Sequence, residues 1–187
     1  YEPIIRRAAG LGSLSRLDDP DSYDKGFLHC DLLVIGAGPA GLVAALTAGR
    51  SGARVILADE DFRMGGRLNA ETFALGDQSG ADWAEQTVAE LAQMPNVRLL
   101  SRTTVLGAFD HGIYSAVERV SDHLPLPLPG KPRQILWRIY SRRAIAAGGA
   151  IERPIAFENN DRPGIMLAGA LRAYANRWGV AVGQRAA

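Results

Sequence analysis

A glycine-rich hexapeptide, Gly36-Ala37-Gly38-Pro39-Ala40-Gly41, carries the clearest chemistry in this sequence. It matches the pattern G-x-G-x-x-G, in which the first glycine permits a tight turn and the second lets the backbone approach a pyrophosphate. The third glycine lets the following helix pack closely on the preceding strand. The N-terminus of that helix offers unpaired N–H groups and a partial positive charge to an anion. The motif therefore predicts a dinucleotide-binding loop made of Gly36, Gly38, Pro39, Ala40 and Gly41.

An acidic cluster follows roughly 20 residues after the first glycine, a spacing typical of dinucleotide-binding units. Asp59 ends a short apolar run, where a carboxylate accepts hydrogen bonds from the hydroxyls of an adenosine ribose. Glu60 and Asp61 come next, and three carboxylates would repel a 2′-phosphate. This argues for NAD or FAD over NADP. Taken singly, Glu60 and Asp61 are better explained as solvated loop charges.

A glycine doublet and an arginine, Gly65-Gly66-Arg67, come a few residues after the acidic cluster. Two glycines allow a loop to fold over the pyrophosphate, and the Arg67 guanidinium is suited to a phosphate contact. The alternative for Arg67 is a simple surface arginine. We include Gly65, Gly66 and Arg67 among the candidate cofactor-binding residues, together with Asp59 and Glu60.

The elements that position these residues form a βαβ unit. The run 31–35 (DLLVI) is a short continuous apolar segment, typical of a strand buried on both faces. A helix rich in alanine and leucine is predicted from Pro39 to Ser51, ending at Gly52. The run 54–58 (RVILA) is a second buried strand. Strand, helix and strand in this order predict a right-handed crossover.

The rest of the chain extends this unit into an α/β fold. We expect a Rossmann-like parallel sheet with a small β-meander, incomplete in this sequence. Residues 1–28 are expected to form an N-terminal arm or linker without a long element, and 29–187 the first half of a module with two dinucleotide folds. The remaining predicted elements are a helix over 81–94, a strand over 96–100, two hairpin strands within 103–120, a proline-rich extended loop over 125–132, two strand-like runs within 134–147 and a last helix over 163–178.

Composition excludes several classes of function. The 187 residues carry a formal net charge of +1, which gives no electrostatic footprint for nucleic acid or an anionic membrane. The one cysteine, Cys30, excludes an internal disulfide and a C-x-x-C redox motif, and the three histidines are scattered, so no metal site is predicted. The longest apolar stretch, 40–48, is far shorter than the ~20 residues of a membrane span. We expect a cytoplasmic protein, and the absence of an initial methionine suggests a piece of a longer polypeptide.

Several longer stretches carry a more specific resemblance. They include YEPIIRRAAGLG over 1–12, GAIERP over 149–154 and NDRPGIML over 160–167, and with others they span nearly the whole chain. In these stretches the chain resembles the alpha subunit of heterotetrameric sarcosine oxidase. One departure is Ala147-Gly148-Gly149, where that family usually has Ala-Thr-Gly. The change removes a hydroxyl near the cofactor.

The resemblance implies a noncovalent NAD on this module. It also implies FAD and a covalent FMN for the oxidase chemistry, with the FMN at the interface with the beta subunit. The family reaction converts sarcosine to glycine, with formaldehyde or methylene-tetrahydrofolate and hydrogen peroxide as the other products. Amine oxidation takes place in the beta subunit, and gamma and delta subunits complete the assembly. No residue of this sequence inherits a catalytic role, so the chain by itself is not expected to be catalytic.

Two other interpretations stay open at this stage. The glycine loop and Asp59 are expected to contact only the adenosine diphosphate half that NAD and FAD share, so they do not distinguish the two cofactors. The chain could thus be an FAD-binding part of a pyridine-nucleotide-disulfide-reductase-like flavoprotein dehydrogenase without C-x-x-C. It could also be a non-catalytic interaction module stabilised by its nucleotide. In any of these cases we expect subunit contacts along the arm 1–28 and the prolines of 125–132.

Overall fold

The computed structural model of the protein describes residues 1–10, 16–126 and 128–184. Residues 11–15 of the expected arm and Pro127 of the expected proline-rich loop lie outside this description. Within it, the helices are α1 (Glu2–Ala8), α2 (Pro39–Arg50), α3 (Gly80–Gln93) and α4 (Ala168–Trp178). The strands are β1 (Tyr23–Ile35), β2 (Val55–Ala58), β3 (Ala74–Leu75), β4 (Gln78–Ser79), β5 (Val97–Leu100), β6 (Thr103–Phe109), β7 (Ile113–Arg119) and β8 (Gln134–Ala146).

Six of the strands form one sheet in the order β5-β2-β1-β8-β7-β6. The first four run parallel, and β8, β7 and β6 continue as an antiparallel meander. The short strands β3 and β4 pair separately as a small hairpin. The fold class expected from the sequence, a Rossmann-like parallel sheet with a βαβ unit and a small β-meander, is confirmed.

The core lies on both faces of the parallel strands. All four residues of β2 are buried, as expected for a strand covered on both sides. One face packs under α2 and α3 through a cluster that includes Val34, Leu42, Leu57 and Leu91, each 0% exposed. This packing fixes the direction of α2, and with it the position of the glycine-rich loop at its N-terminus.

The meander covers the opposite face of the parallel strands. Leu33 on β1 and Ile56 on β2 share a buried cluster with Ala116 on β7 and Ile139 on β8. Because β7 and β8 belong to the same sheet as β1 and β2 and also pack over one of its faces, the sheet curls. The curl places the start of β6 beside the end of β2, where the Thr103 backbone N–H donates to the Asp59 carbonyl at 2.7 Å.

Three predicted boundaries were wrong. β1 begins at Tyr23, inside the expected arm, because 23–30 pair with the equally long β8 rather than with a local neighbour. The runs of 134–147 form one strand, since Ser141 between them stays in register with Cys30. The last helix begins at Ala168 rather than Pro163, since Gly164 has φ +94°, outside the helical region.

The expected arm also contains the helix α1, whose residues Glu2–Ala8 are all exposed. The expected domain boundary between residues 28 and 29 falls within β1. The division of the chain into an arm and a dinucleotide-binding domain is otherwise untested and stays a prediction.

Candidate functional site: a cleft at the carboxyl ends of the parallel strands

A cleft of about 540 Å³ opens at the carboxyl ends of β1, β2 and β8. This is the edge at which open parallel sheets bind their ligands. The glycine-rich loop forms one wall, and the start of β6 together with the segment after β8 forms another. The predicted site residues that line the cleft are Gly36, Gly38, Pro39, Ala40, Asp59, Glu60, Gly66 and Arg67.

Two glycines of the motif are required by packing alone. Gly36 has φ +98°, and a Cβ there would lie 2.5 Å from the Ala147 carbonyl oxygen. A Cβ on Gly41 would lie 1.8 Å from the Gly36 carbonyl oxygen, so only a glycine lets α2 approach the loop this closely. The tight turn and the close helix–strand packing expected from the sequence are both present.

Gly38 differs from its two neighbours in the motif. Its φ is −70°, which any residue can adopt, and a Cβ built on it would meet nothing within 4 Å. The space that a side chain would fill belongs to the cleft, directly before the first turn of α2 at Pro39 and Ala40. A diphosphate fits the residues present, because at this point it can reach the first N–H groups of the helix.

Asp59 joins the end of β2 to the glycine-rich loop. Its Oδ2 accepts a hydrogen bond from the Ala37 N–H, and its Oδ1 accepts one from the Asp61 N–H at 2.8 Å. An ionised carboxylate has about four lone-pair sites. Asp59 therefore keeps acceptor capacity for the hydroxyls of a ribose while it fixes the loop beside it.

The three carboxylates of the acidic cluster are not equivalent. Asp61 accepts hydrogen bonds from the two terminal guanidinium nitrogens of Arg177 on α4, at 2.6 and 2.9 Å. Burial would raise the pKa of Asp61, but the hydrogen bond from Arg177 and backbone N–H groups outweigh it, and the pKa lies below its ordinary value. Glu60 is exposed at the rim of the cleft. Because Arg177 neutralises Asp61, the cluster repels anions less than the sequence suggests.

The glycine doublet packs against the glycine-rich loop. The Gly65 N–H donates to the Ala37 carbonyl at 2.8 Å, and a Cβ on Gly66 would lie 2.9 Å from the Gly38 Cα. Both doublet glycines have positive φ, +130° and +54°. Arg67 follows at the mouth of the cleft, with 67% of its side chain exposed and its guanidinium 3.0 Å from Glu71.

Sequence reasoning missed the far walls of this site. Thr103, Thr104 and Val105 line the cleft from β6, and 147–150 line it from the segment after β8. The Gly148 position faces open space, so the threonine that the resemblance implies there would fit without a clash. The signal that could have found these residues is topological, since both segments follow strands that end at this edge of the sheet.

Two further properties concern the whole described part of the chain. None of the helices within 1–10, 16–126 and 128–184 has the length and apolar character needed to cross a membrane. Over the same ranges, no three side chains of His, Cys, Asp or Glu come together as a group that could hold a metal ion.

Comparisons with known proteins identify the relatives of this chain. The model of the family described as FAD dependent oxidoreductase matches residues 31–119. Sarcosine oxidase subunit alpha of Rhizobium meliloti (strain 1021) is 56% identical over 184 residues, which are 98% of this chain and 19% of the relative. The same subunit of Corynebacterium sp. (strain P-1) is 50% identical over 178 residues, covering 94% of this chain and 18% of the relative. The chain thus spans about one fifth of the length of these relatives.

A solved structure gives the same picture of the fold. L-proline dehydrogenase from P. horikoshii superposes with a TM-score of 0.67 at 25% sequence identity. The match covers 88% of this chain and 31% of that protein. The similarity therefore extends over nearly all of the present chain but only a part of each larger protein.

Proposed function

Since this chain belongs to the sarcosine oxidase alpha subunit family, whose members it matches over about one fifth of their length, we propose that it is the NAD-binding part of such a subunit. The family resemblance inferred from the sequence is confirmed. The matching family model makes this segment part of an FAD-dependent oxidoreductase domain. In the proposal, the whole protein converts sarcosine to glycine in the cytoplasm, together with beta, gamma and delta subunits. A covalent FMN lies at the interface with the beta subunit.

The open space at Gly38 is the observation that carries the cofactor proposal. The cleft contains a backbone position where a side chain would meet no protein atom within 4 Å, next to a helix N-terminus. Protein packing does not require a glycine there, whereas a closely approaching ligand does. Asp59 at the end of β2 supplies the acceptor that an adenosine ribose needs.

In this proposal Gly36 and Gly41 shape the glycine-rich loop, and the other predicted residues take part in binding. The backbone at Gly38 and the first turn of α2, with Pro39 and Ala40, receive the diphosphate. Asp59 accepts from the ribose hydroxyls, with Glu60 beside it at the rim. Gly65 and Gly66 hold their loop against the glycine-rich loop, and Arg67 contacts the diphosphate. A bound dinucleotide supplies hydride-transfer chemistry, and we assign no catalytic role to any residue of this chain.

FAD is the second candidate for the same cleft. The family model that matches residues 31–119 is described as FAD dependent, which favours a flavin. The residues proposed here contact the adenosine diphosphate half, which both cofactors share. The choice between NAD and FAD therefore depends on the identity of the bound molecule rather than on these contacts.

Identifying the molecule released by the denatured holoprotein tests the proposal. The whole purified protein is unfolded, the polypeptide is removed, and the supernatant is analysed by absorbance and mass. To assign each molecule to a site, the same measurement is made on Gly38→Ala. Loss of NAD alone from that variant supports the proposal, and loss of FAD alone moves the assignment to the second candidate. Full retention of both cofactors would refute the proposed site.

A further inference from the structure

A smaller cavity of about 330 Å³ lies beside the proposed cofactor cleft, and Gly66 and Arg67 line both. The far side of this cavity is α4, which contributes Arg172. Arg67 and Arg172 thus approach the same space from two elements that are about 100 residues apart in sequence. Neither the glycine motif nor its spacing pointed to α4.

Both guanidinium groups converge on one carboxylate oxygen. Glu71 Oε1 lies 3.0 Å from a terminal nitrogen of Arg67 and 3.4 Å from a terminal nitrogen of Arg172. The Glu71 side chain is only 14% exposed, whereas that of Arg67 is 67% exposed. Two positive charges therefore share a single, mostly buried negative charge.

Arg172 is left with an unused donor in this arrangement. Its Nε is buried and has no hydrogen-bond partner among the described residues. A buried N–H without an acceptor is unfavourable, and the usual remedy for arginine is a two-pronged bond from Nε and a terminal nitrogen to one carboxylate. Arg172 instead contacts Glu71 Oε1 through a terminal nitrogen alone, at a longer distance than Arg67 does.

The other charged groups of this cavity already have partners. Asp61 is held by both terminal nitrogens of Arg177. A carboxylate oxygen of Glu152 accepts the Gly169 N–H at 2.7 Å, near the N-terminus of α4. The shared contact on Glu71 is therefore the one that a ligand can rearrange.

We propose that Arg172 is a positioning residue that holds Glu71 so that Arg67 can turn to the diphosphate of the dinucleotide. On binding, Arg67 leaves Glu71, and Arg172 takes over the carboxylate with its terminal nitrogen and its Nε. This inference rests on the proposed function, because it requires a diphosphate in the cleft. Arg172 thereby contributes to dinucleotide binding although it does not itself touch the ligand.

Arg172 is needed for this exchange because Glu71 is mostly buried. If Arg67 were its only partner, moving Arg67 to a phosphate would leave a mostly buried carboxylate without a countercharge, which is strongly unfavourable. With Arg172 present, the carboxylate keeps a partner and the orphaned Nε gains an acceptor. The exchange then costs little, and Arg67 is available for the ligand.

A double-mutant cycle on Glu71 and Arg172 tests the inference. Dissociation constants for NAD and, separately, FAD are measured on the whole purified protein after cofactor removal. Arg172→Gln is expected to weaken binding about tenfold, equivalent to ~1.4 kcal/mol. Glu71→Gln removes the charge that restrains Arg67, so binding should not weaken, and the double variant should bind as Glu71→Gln does. Arg142→Gln removes an exposed arginine next to Asp31 and is the matched control.

The outcomes separate this inference from the function on which it rests. A parent protein that binds neither dinucleotide contradicts the proposed function. A parent that binds, with Arg172→Gln binding equally well, overturns the inference alone. If Arg172 only supports the packing of α4, Glu71→Gln will not rescue Arg172→Gln, and that result also overturns the inference.

Discussion

Gly38→Ala adds one methyl group at the point where the diphosphate is proposed to approach the backbone. The structure allows the alanine, because φ at this position is −70° and its Cβ would meet nothing within 4 Å. Alanine is a poorer N-cap than glycine, but it also stabilises the protein by about 0.4–1 kcal/mol because it reduces the conformational entropy of the unfolded chain. Since these effects oppose each other, we expect the free energy of unfolding without cofactor to change by less than about 1 kcal/mol.

The effect of the same substitution on binding should be much larger. The methyl group occupies the open space, so a phosphate oxygen can no longer come within hydrogen-bond distance of the adjacent N–H groups. A hydrogen bond to a charged group contributes about 1.5–3 kcal/mol. Losing one or two of them predicts an affinity loss of about 3 kcal/mol, on the order of 100-fold.

Two measurements on the whole protein check the reasoning. Isothermal titration of cofactor-free protein with NAD and FAD gives the affinities, and thermal unfolding without cofactor gives the stability. Ala92→Val adds bulk at an exposed position of α3 and serves as the control. An unchanged affinity in Gly38→Ala would refute the proposed position of the diphosphate. A large loss of stability would show instead that the space at Gly38 is needed by the protein itself.

Three other perturbations have outcomes that the structure specifies. Gly41→Ala should destabilise the fold by about 3 kcal/mol, because its Cβ would lie 1.8 Å from a carbonyl oxygen. A denaturant midpoint like that of the parent would contradict this. Arg177→Gln should cost about 1–2 kcal/mol at pH 7, since its partner Asp61 is partly buried. Folding lowers the pKa of Asp61, so the ion pair stabilises fully above the ordinary pKa of about 4, and this stabilisation is lost as pH falls through the lower folded value. Melting temperatures of parent and variant, measured from pH 7 to 3, should therefore converge in acid. A constant difference would contradict the assignment of Asp61 as the partner. Cys30 is 3% exposed, and burial raises the pKa of its thiol, so a thiol reagent should label it only after unfolding; rapid labelling of the native protein would show that the strand opens.

The parts of the fold that local patterns specify were predictable from the sequence. The βαβ unit follows from two apolar runs and an alanine-rich helix within about 30 residues, and the glycine positions follow from backbone geometry. The hairpin of β6 and β7 was also visible, because Asp110-His111-Gly112 provides a turn between two β-like runs. In each case the residues that make the structure are close together in the chain.

The features that the sequence did not predict depend on residues far apart in the chain. The strand character of 23–28 comes from pairing with β8, more than 100 residues later. Asp24, Lys25 and Gly26, which belong to types uncommon in strands, gave no local sign of it. The same applies to the ion pair between Asp61 and Arg177, which joins α4 to the acidic cluster. Sequence reasoning treated the carboxylates as a uniform group because their countercharge lies so far along the chain.

Both backbone polar groups of Ala37 are hydrogen-bonded. Its N–H donates to Asp59, and its carbonyl accepts from Gly65, while its side chain is fully buried. A loop held in this way is restrained before any ligand arrives, so association should lose little conformational entropy in the backbone. The dinucleotide should then meet a preorganised cradle, with rearrangement confined to exposed side chains at its mouth such as Arg67.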